Sequence, residues 1–100
     1  MNQIITNSFD NIAALCKQHS VQSLYVFGSV LTSGFNSDSD IDFLVHFNTA
    51  NISDYVTNYF SLKHSLKSEL GRPVDLVEDK SIRNPVFRHN VDRTKVPIYG

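Results

Sequence analysis

The sequence predicts an α+β domain in which one central mixed β-sheet is flanked by helices. Apolar residues recur at three- and four-residue intervals over residues 5–16 and again over residues 56–70, which is the period of an amphipathic helix. Residues 40–47 instead alternate with a period of two, which is typical of a strand with one apolar face. The 100 residues, of which 41% are apolar and 19% charged, predict a single globular domain over residues 1–100.

The first third of the chain predicts a helix, a strand and a loop. Helical spacing of apolar residues places the helix over residues 3–18. The apolar run at residues 24–27 predicts a buried strand that ends at Gly28. One helical turn fits residues 29–31, and residues 32–38 are dense in turn formers and therefore predict a loop.

The strand at residues 40–47 is followed by the longest predicted helix. Residues 51–53 offer side chains that can cap its start. The helical period then runs from Val56 to Leu70. Gly71 ends the helix, because glycine readily takes the left-handed conformation in which many helices terminate.

Two short strands and a short helix complete the chain. Residues 74–77 predict a third strand. Asn84 and Pro85 mark the start of a helix that ends near Asp92, since asparagine caps free N–H groups and proline fits the first helical position. Residues 96–99 predict a terminal edge strand, where a proline is tolerated. The resulting order is helix, strand, strand, helix, strand, helix, strand.

The residues suited to chemistry lie at the ends of the predicted strands. Gly28 and Ser29 follow the first strand, and such a step can present backbone N–H groups to phosphates, since glycine lets a ligand approach closely. Asp40 and Asp42 are two residues apart and therefore point to one face, where they can share a divalent metal. Asp75 lies on the third strand, on the face opposite its apolar neighbours. Carboxylate oxygens of this kind suit Mg²⁺.

Three short motifs occur in order along the chain. They are Gly28-Ser29, then Ser-Asp-Ile-Asp-Phe-Leu-Val at residues 39–45, and Arg-Pro-Val-Asp-Leu-Val at residues 72–77. Together they resemble the signature of the DNA polymerase beta nucleotidyltransferase superfamily. The small size resembles its minimal nucleotidyltransferase (MNT) branch, whose members are often the antitoxin paired with a HEPN-domain toxin. The resemblance implies the nucleotidyltransferase fold.

The same resemblance implies an enzyme that transfers AMP from ATP to a protein hydroxyl, uses two Mg²⁺ ions and neutralises a HEPN toxin. The implied catalytic and metal-binding residues are Asp40, Asp42 and Asp75. The implied nucleotide-binding residues are Gly28, Ser29 and Ser39. Asp75 also suits the role of general base, and that alternative stays open.

Two positions depart from the pattern of the relatives. Thr32 and Ser33 stand where many relatives have arginine and glycine. If that arginine grips the triphosphate, another cation must replace it or the nucleotide is bound weakly. By charge alone the candidates are Arg72, Arg83, Arg88 and Arg93, although a solvated surface position is the more common role for each. The departure keeps a second function open, that of an antitoxin which neutralises its partner by binding alone.

The distribution of charge restricts the class of partner. The net charge of −1 predicts no general affinity for nucleic acid or for a membrane surface. Residues 1–50 carry four aspartates against one lysine, a balance of −3, whereas residues 51–100 carry eight basic and six acidic side chains, a balance of +2. An acidic metal site facing a basic half suits a metal-bound polyphosphate.

The remaining features predict a cytoplasmic protein. Cys16 is the only cysteine, which excludes an internal disulfide, and it falls on the apolar side of the first helix as buried filler. No apolar stretch is long enough to predict a membrane span. His46 shares the strand face of Asp42 and is interpreted as a strand-end residue rather than part of the site rim. So small a domain, with an exposed sheet edge, is compatible with a homodimer or a hetero-oligomer.

Overall fold

The computed structural model describes residues 2–100, which form a four-stranded sheet and its flanking helices. The strands are β1 (Val21–Phe27), β2 (Ile41–Phe47), β3 (Val74–Glu78) and β4 (Val96–Tyr99). The helices are α1 (Gln3–Thr6), α2 (Phe9–Gln18), α3 (Tyr55–Leu70) and α4 (Pro85–Thr94). Short 3₁₀ turns cover Gly28–Leu31, Thr49–Asn51 and Asp79–Ser81. Within residues 2–100, none of the helices has the length and apolar character that crossing a membrane requires.

The sheet is mixed and has the strand order β3-β2-β1-β4. β1 pairs antiparallel with both β2 and β4, whereas β2 and β3 run parallel. A parallel pair needs a crossover connection between its strands, and α3 supplies it. The predicted α+β architecture with one central mixed sheet is therefore confirmed.

One face of the sheet carries the main hydrophobic core and is covered by α2 and α3. β2 turns its apolar residues toward this face, where Leu62 and Leu66 of α3 pack against them. Because side chains alternate along a strand, Asp42 and His46 are left on the opposite face. The core residues with no solvent exposure are Ile5, Ile12, Cys16, Leu24, Val26, Ile41, Phe43, Val45, Leu62 and Leu66.

The opposite face of the sheet is only partly covered, and α4 provides the cover. Val91 of α4 packs on Phe27 and Leu44 in a smaller hydrophobic cluster. Beside this cluster, at the start of β2, Asp42 is half-buried and Asp40 is exposed. One face of the sheet is thus covered by helices and stabilises the fold, whereas the other leaves the aspartates at the start of β2 accessible to solvent.

The ends of two helices confirm the predicted capping. Gly71 ends α3 in the left-handed conformation, with φ 67°. Asn84 caps α4 by accepting two backbone N–H groups, and Pro85 occupies the first turn. The start of α3 differs from the prediction, because Asp54 caps it instead of a residue within 51–53.

The first helix is divided where the sequence predicts one helix over residues 3–18. Ser8 lies in the break between α1 and α2, where its Oγ donates to the Glu69 carboxylate of α3 at 3.0 Å. The contact joins residues 61 positions apart, so no local spacing signals it. β1 also begins earlier than predicted, at Val21, because Val21 pairs with Phe47 across an irregularity in the ladder.

Candidate active site

The register of the parallel strands brings two carboxylates side by side. Asp42 of β2 pairs with Asp75 of β3, and on its other side it pairs with Phe27 of β1. Paired residues point to the same face of a sheet, so both carboxylates lie on the face that α2 and α3 leave open. Asp40 precedes β2 by one residue and is exposed. Three of the residues predicted for the site thus meet at one end of the sheet.

Partial burial and like charge both act on Asp42. The pKa of its carboxyl is raised from 3.8 to about 6, first by removal from water and then by the negative charges of Asp75 and Asp40. Ionising all three carboxylates is therefore unfavourable without a compensating cation. The cluster has the electrostatic character of a cation site.

The donor set also indicates which cation would fit. Oxygen is the only donor type in the aspartate cluster, and oxygen ligands suit Mg²⁺. Within residues 2–100, no group of three histidine, cysteine, aspartate or glutamate side chains is arranged to hold a metal ion by itself. Mg²⁺ commonly takes one or two carboxylates and completes its coordination with water and substrate phosphates. The aspartates therefore fit a metal that arrives with a polyphosphate.

Gly28 is fixed beside Asp42 by both conformation and space. Its φ is +77°, a left-handed value that other residues adopt only with strain. A Cβ at this position would also overlap the Asp42 carboxylate oxygen Oδ2. The sequence assigned Gly28 to the approach of a phosphate, and the structure adds that the glycine makes room for the Asp42 carboxylate.

The turn after Gly28 is anchored in the hydrophobic core by Val30 and closed by hydrogen bonds from Thr32. Val30 is 4% exposed and belongs to the main core. Thr32 donates to the Ser29 carbonyl twice, from its N–H and from its Oγ1, both at 2.9 Å. Thr32, the departure from the family pattern noted above, thus closes the Gly28–Leu31 turn that presents Ser29.

Arg72 anchors the loop that leads to Asp40. Its Nη1 donates to the carbonyls of Asn36 and Ser39, each at 3.3 Å, and its guanidinium lies 4.5 Å from the centre of the Phe35 ring. On the other side of Asp40, the N–H of Ile41 donates to the carbonyl of Pro73 at 3.1 Å. Both neighbours of Asp40 are therefore tied to the turn that leads into β3. Sequence spacing gave no sign of this, since the contacts join residues more than thirty positions apart.

The other residues that the sequence singled out include Ser39, Arg88 and Arg93, and the contacts of Ser39 and Arg88 do not involve the aspartate cluster. Ser39 closes its own loop, because its N–H donates to the Asn36 carbonyl and its Oγ accepts the Asn36 N–H, both at 3.1 Å. The Arg88 guanidinium forms an ion pair with Asp79, at 2.8 Å. Arg93 is exposed to solvent. A nucleotide-binding role for Ser39 stays a prediction.

Two cavities flank the site region. The larger, of about 960 Å³, adjoins the Gly28 turn and is lined by Asn2, Gly28, Val30, Leu31, Thr32, Thr94 and Val96. Its volume is ample for a nucleotide-sized molecule. His46 lines a different cavity of about 130 Å³ with Asp79 and Lys95. The His46 Nδ1 is buried without a hydrogen-bond partner among residues 2–100, and none of Asp40, Asp42 and Asp75 lines either cavity.

A Gly-Ser turn packed on a strand aspartate, with further aspartates before that strand and on its parallel neighbour, defines a nucleotidyltransferase-type site. Comparison with known families agrees with the geometry. The chain belongs to the polymerase beta nucleotidyltransferase family, because residues 10–100 match the model described as "Polymerase beta, Nucleotidyltransferase". The residues matched include the turn and all three aspartates.

Two curated relatives come from Methanocaldococcus jannaschii and carry the name of candidate protein adenylyltransferases. MJ1379 is 33% identical over 81 residues, which cover 81% of this chain and 80% of the relative. MJ0128 is 35% identical over 84 residues, which cover 84% and 83% respectively. The similarity thus extends over most of both proteins, and the chain is a nucleotidyltransferase.

Solved structures share the fold over nearly the whole chain. A minimal nucleotidyltransferase aligns with a TM-score of 0.79 and 30% identity, covering 97% of this chain and 96% of the other. A chain from a toxin–antitoxin structure with AMP-PNP aligns with a TM-score of 0.70 and 28% identity, covering 92% and 73%. A chain from the tri-AMPylated Shewanella oneidensis HEPN toxin in complex with its MNT antitoxin gives 0.66 and 26%, covering 96% and 72%.

Proposed function

We propose that this chain is the antitoxin of a HEPN/MNT pair and neutralises a HEPN-domain toxin by transferring AMP from ATP to a hydroxyl of that protein in the presence of Mg²⁺. The observation that carries the proposal is the pairing of Asp42 with Asp75, next to Asp40 and packed against Gly28. The names of the relatives support the protein acceptor. The HEPN partner is supported by the structural neighbours in toxin–antitoxin complexes.

In the proposed reaction, the acceptor hydroxyl oxygen forms a bond to the α-phosphorus of ATP while the bond from that phosphorus to the bridging oxygen breaks. Pyrophosphate leaves, and the hydroxyl proton passes to a base. As the alternative to a metal-binding role, Asp75 would accept this proton, which its exposure and its pairing with Asp42 support. Gly28 and Ser29 bind the phosphates through the turn that follows β1.

Mg²⁺, held by Asp40, Asp42 and Asp75, would neutralise charge on the phosphates and favour ionisation of the hydroxyl. The raised pKa of Asp42 supports this assignment, since a cation offsets the repulsion from the other two carboxylates. The aspartates bind and orient, while the Gly28–Leu31 turn fixes the phosphate end of the substrate.

The proposal is tested by intact mass spectrometry of a candidate HEPN toxin, after incubation with the protein, ATP and Mg²⁺. We expect the toxin mass to rise by one or more AMP units, and Asp40→Asn to abolish the increase. Asp38→Asn is the matched control, because Asp38 is an exposed loop aspartate two positions away. Unmodified toxin with the wild-type protein contradicts the proposal.

A second function remains supported by one observation, the use of Thr32 to close the turn where relatives have arginine. Without that arginine, the antitoxin would neutralise its partner by binding alone. Growth rescue in cells that express the toxin separates the two functions. Loss of rescue with Asp40→Asn favours catalysis, whereas full rescue with both Asp40→Asn and Asp42→Asn favours binding.

A further inference from the structure

An exposed apolar surface adjoins the aspartates on the open face of the sheet. It consists of Val86 and Phe87, in the first turn of α4, and is named the α4 surface below. Val86 is 68% exposed and Phe87 is 40% exposed. Single exposed apolar residues are ordinary on proteins, so the position of this pair is what matters.

The α4 surface is one side chain away from Asp42. The Phe87 ring meets the Phe27 ring edge to face, with 6.0 Å between their centres. Phe27 is in turn the cross-strand partner of Asp42. Phe87 therefore lies beside the aspartates on this face of the sheet.

The backbone holds the α4 surface in a fixed place. The Asn84 side chain accepts the N–H groups of Val86 and Phe87 at 2.9 and 3.1 Å. Further along α4, Arg88 donates to the Asp79 carboxylate at 2.8 Å and to its carbonyl at 2.6 Å. The surface is thus pre-organised, which lowers the entropy lost when a partner binds.

Two arginines flank the α4 surface along the chain, while the aspartate cluster lies on its side toward β2. Arg83 precedes the helix and Arg93 lies two turns beyond Val86 on the same helical face. Both are exposed and, within residues 2–100, neither takes part in an ion pair. The patch complements a polypeptide segment that seats an apolar side chain on it and holds acidic side chains toward Arg83 and Arg93, away from the aspartates.

We propose that the α4 surface docks the polypeptide around the acceptor hydroxyl, seating an apolar side chain of the partner protein on Val86 and Phe87. This inference rests on the proposed function and names how its acceptor is recognised. The surface offers no polar side chain for phosphates. The large cavity beside Gly28 is lined by Thr94 at the other end of α4, so a nucleotide can occupy that cavity while the α4 surface stays accessible.

The test is steady-state AMP transfer to a candidate HEPN toxin, using Val86→Ser and the double variant Val86→Ser/Phe87→Ser. We expect KM for the toxin to rise about tenfold in the double variant, as for a contact at an interface centre. KM for ATP and kcat at saturating toxin should stay unchanged. Val86→Ser alone gives a smaller rise and keeps the fold, since this side chain is mostly in solvent.

The matched control is Val56→Ser/Phe60→Ser on α3, which packs on the other face of the sheet. Val56 is 63% exposed and Phe60 58% exposed, so the chemical change is the same. An unchanged KM for toxin in the α4 variants, or an equal rise in the α3 control, overturns the inference. A rise in KM for ATP instead assigns the α4 surface to the nucleotide base and also overturns it.

Direct binding separates this inference from the proposed function. Affinity for the toxin is measured by calorimetry without ATP or Mg²⁺, for the wild type and both double variants. If the wild type transfers no AMP, the proposed function fails, yet a tenfold weaker Kd confined to the α4 variant still supports docking there. Equal affinity of all three proteins refutes docking at the α4 surface whether or not transfer occurs.

Discussion

Gly28 meets two separate requirements, a left-handed backbone conformation and space for the Asp42 carboxylate. The φ of +77° is a property of the folded backbone, so a side chain at this position costs stability. The space needed by Asp42 is a property of the site, because a Cβ would push the Asp42 carboxylate out of its position. A single residue thus couples the turn to the geometry of the aspartates.

Replacing Gly28 with alanine should lower both stability and activity. We expect the free energy of unfolding to fall by about 1–3 kcal/mol, from the strained backbone, and AMP transfer to fall further because Asp42 is displaced. Gly34→Ala is the control, since its Cβ would meet only Thr32 Oγ1, at an ordinary 3.5 Å. Urea denaturation measures the stability of both variants, and mass spectrometry measures their AMP transfer. Equal transfer by both variants would show that Asp42 tolerates displacement.

At the scale of elements, the Arg72 contacts join the loop before β2 to the turn before β3. Those two strands carry Asp42 and Asp75, while Asp40 sits between residues held by Arg72 and Pro73. The strand ladder fixes Asp42 beside Asp75, whereas the position of Asp40 relative to them depends in part on the Arg72 guanidinium. Arg72 is a positioning residue in this arrangement, because it acts through the loop.

Arg72→Lys should lower kcat for AMP transfer about tenfold with little change in the free energy of unfolding. Lysine keeps the charge but lacks the planar fork that reaches two carbonyls while stacking on Phe35. The concentration of Mg²⁺ needed for half-maximal rate should rise, since the carboxylates are held less well. Arg93→Lys, at an exposed position, serves as control. An unchanged Mg²⁺ dependence, with lower stability alone, would reduce Arg72 to a structural role.

Elements set by local chemistry were predictable from the sequence, and those set by distant contacts were not. β2 was predicted to within one residue, since the prediction included Asp40 and the strand begins at Ile41, and Gly71 ended α3 where expected. The break at Ser8 depends on a bond to Glu69 on another helix, which no local pattern contains. The start of β1 likewise depends on pairing across the sheet.

The same division holds for the site. The three aspartates and the Gly-Ser step are visible as a motif, because strand periodicity decides which face each residue occupies. The contact between Gly28 and Asp42, the Arg72 anchor and the α4 surface arise from how separate elements pack. The residues of the candidate site could therefore be predicted from the sequence, whereas the contacts that position them could not.

At the scale of the whole molecule, the aspartate cluster makes stability depend on pH. The pKa of Asp42 is about 6 in the folded protein against 3.8 as the ordinary value, so the folded state binds this proton more tightly. The stabilising effect of that proton is complete below pH 4 and is lost as pH rises through about 6. Above that pH the folded protein carries a partly desolvated, repelled carboxylate.

Asp42→Asn should therefore stabilise the metal-free protein at pH 7 and abolish its activity. The gain is about 1 kcal/mol once solvent screening of this half-exposed group is allowed for, or several degrees in Tm. Near pH 4 the two proteins should unfold at similar temperatures, because the native carboxyl is then neutral. Thermal unfolding in EDTA from pH 4 to 8 measures the difference.

Asp54→Ala supplies the control of opposite sign. Hydrogen bonds from Thr57 hold the pKa of Asp54 below its usual value, so its cap stabilises α3 most when it is ionised. This variant should lose stability at pH 7 and approach the wild type as the pH falls through the Asp54 pKa. A gain in Asp42→Asn that persists at pH 4 would mean that packing, not charge repulsion, limits stability at the site. Convergence of the Asp42→Asn and wild-type curves near pH 4 instead identifies the aspartate cluster as a site whose repulsion lowers the stability of the fold.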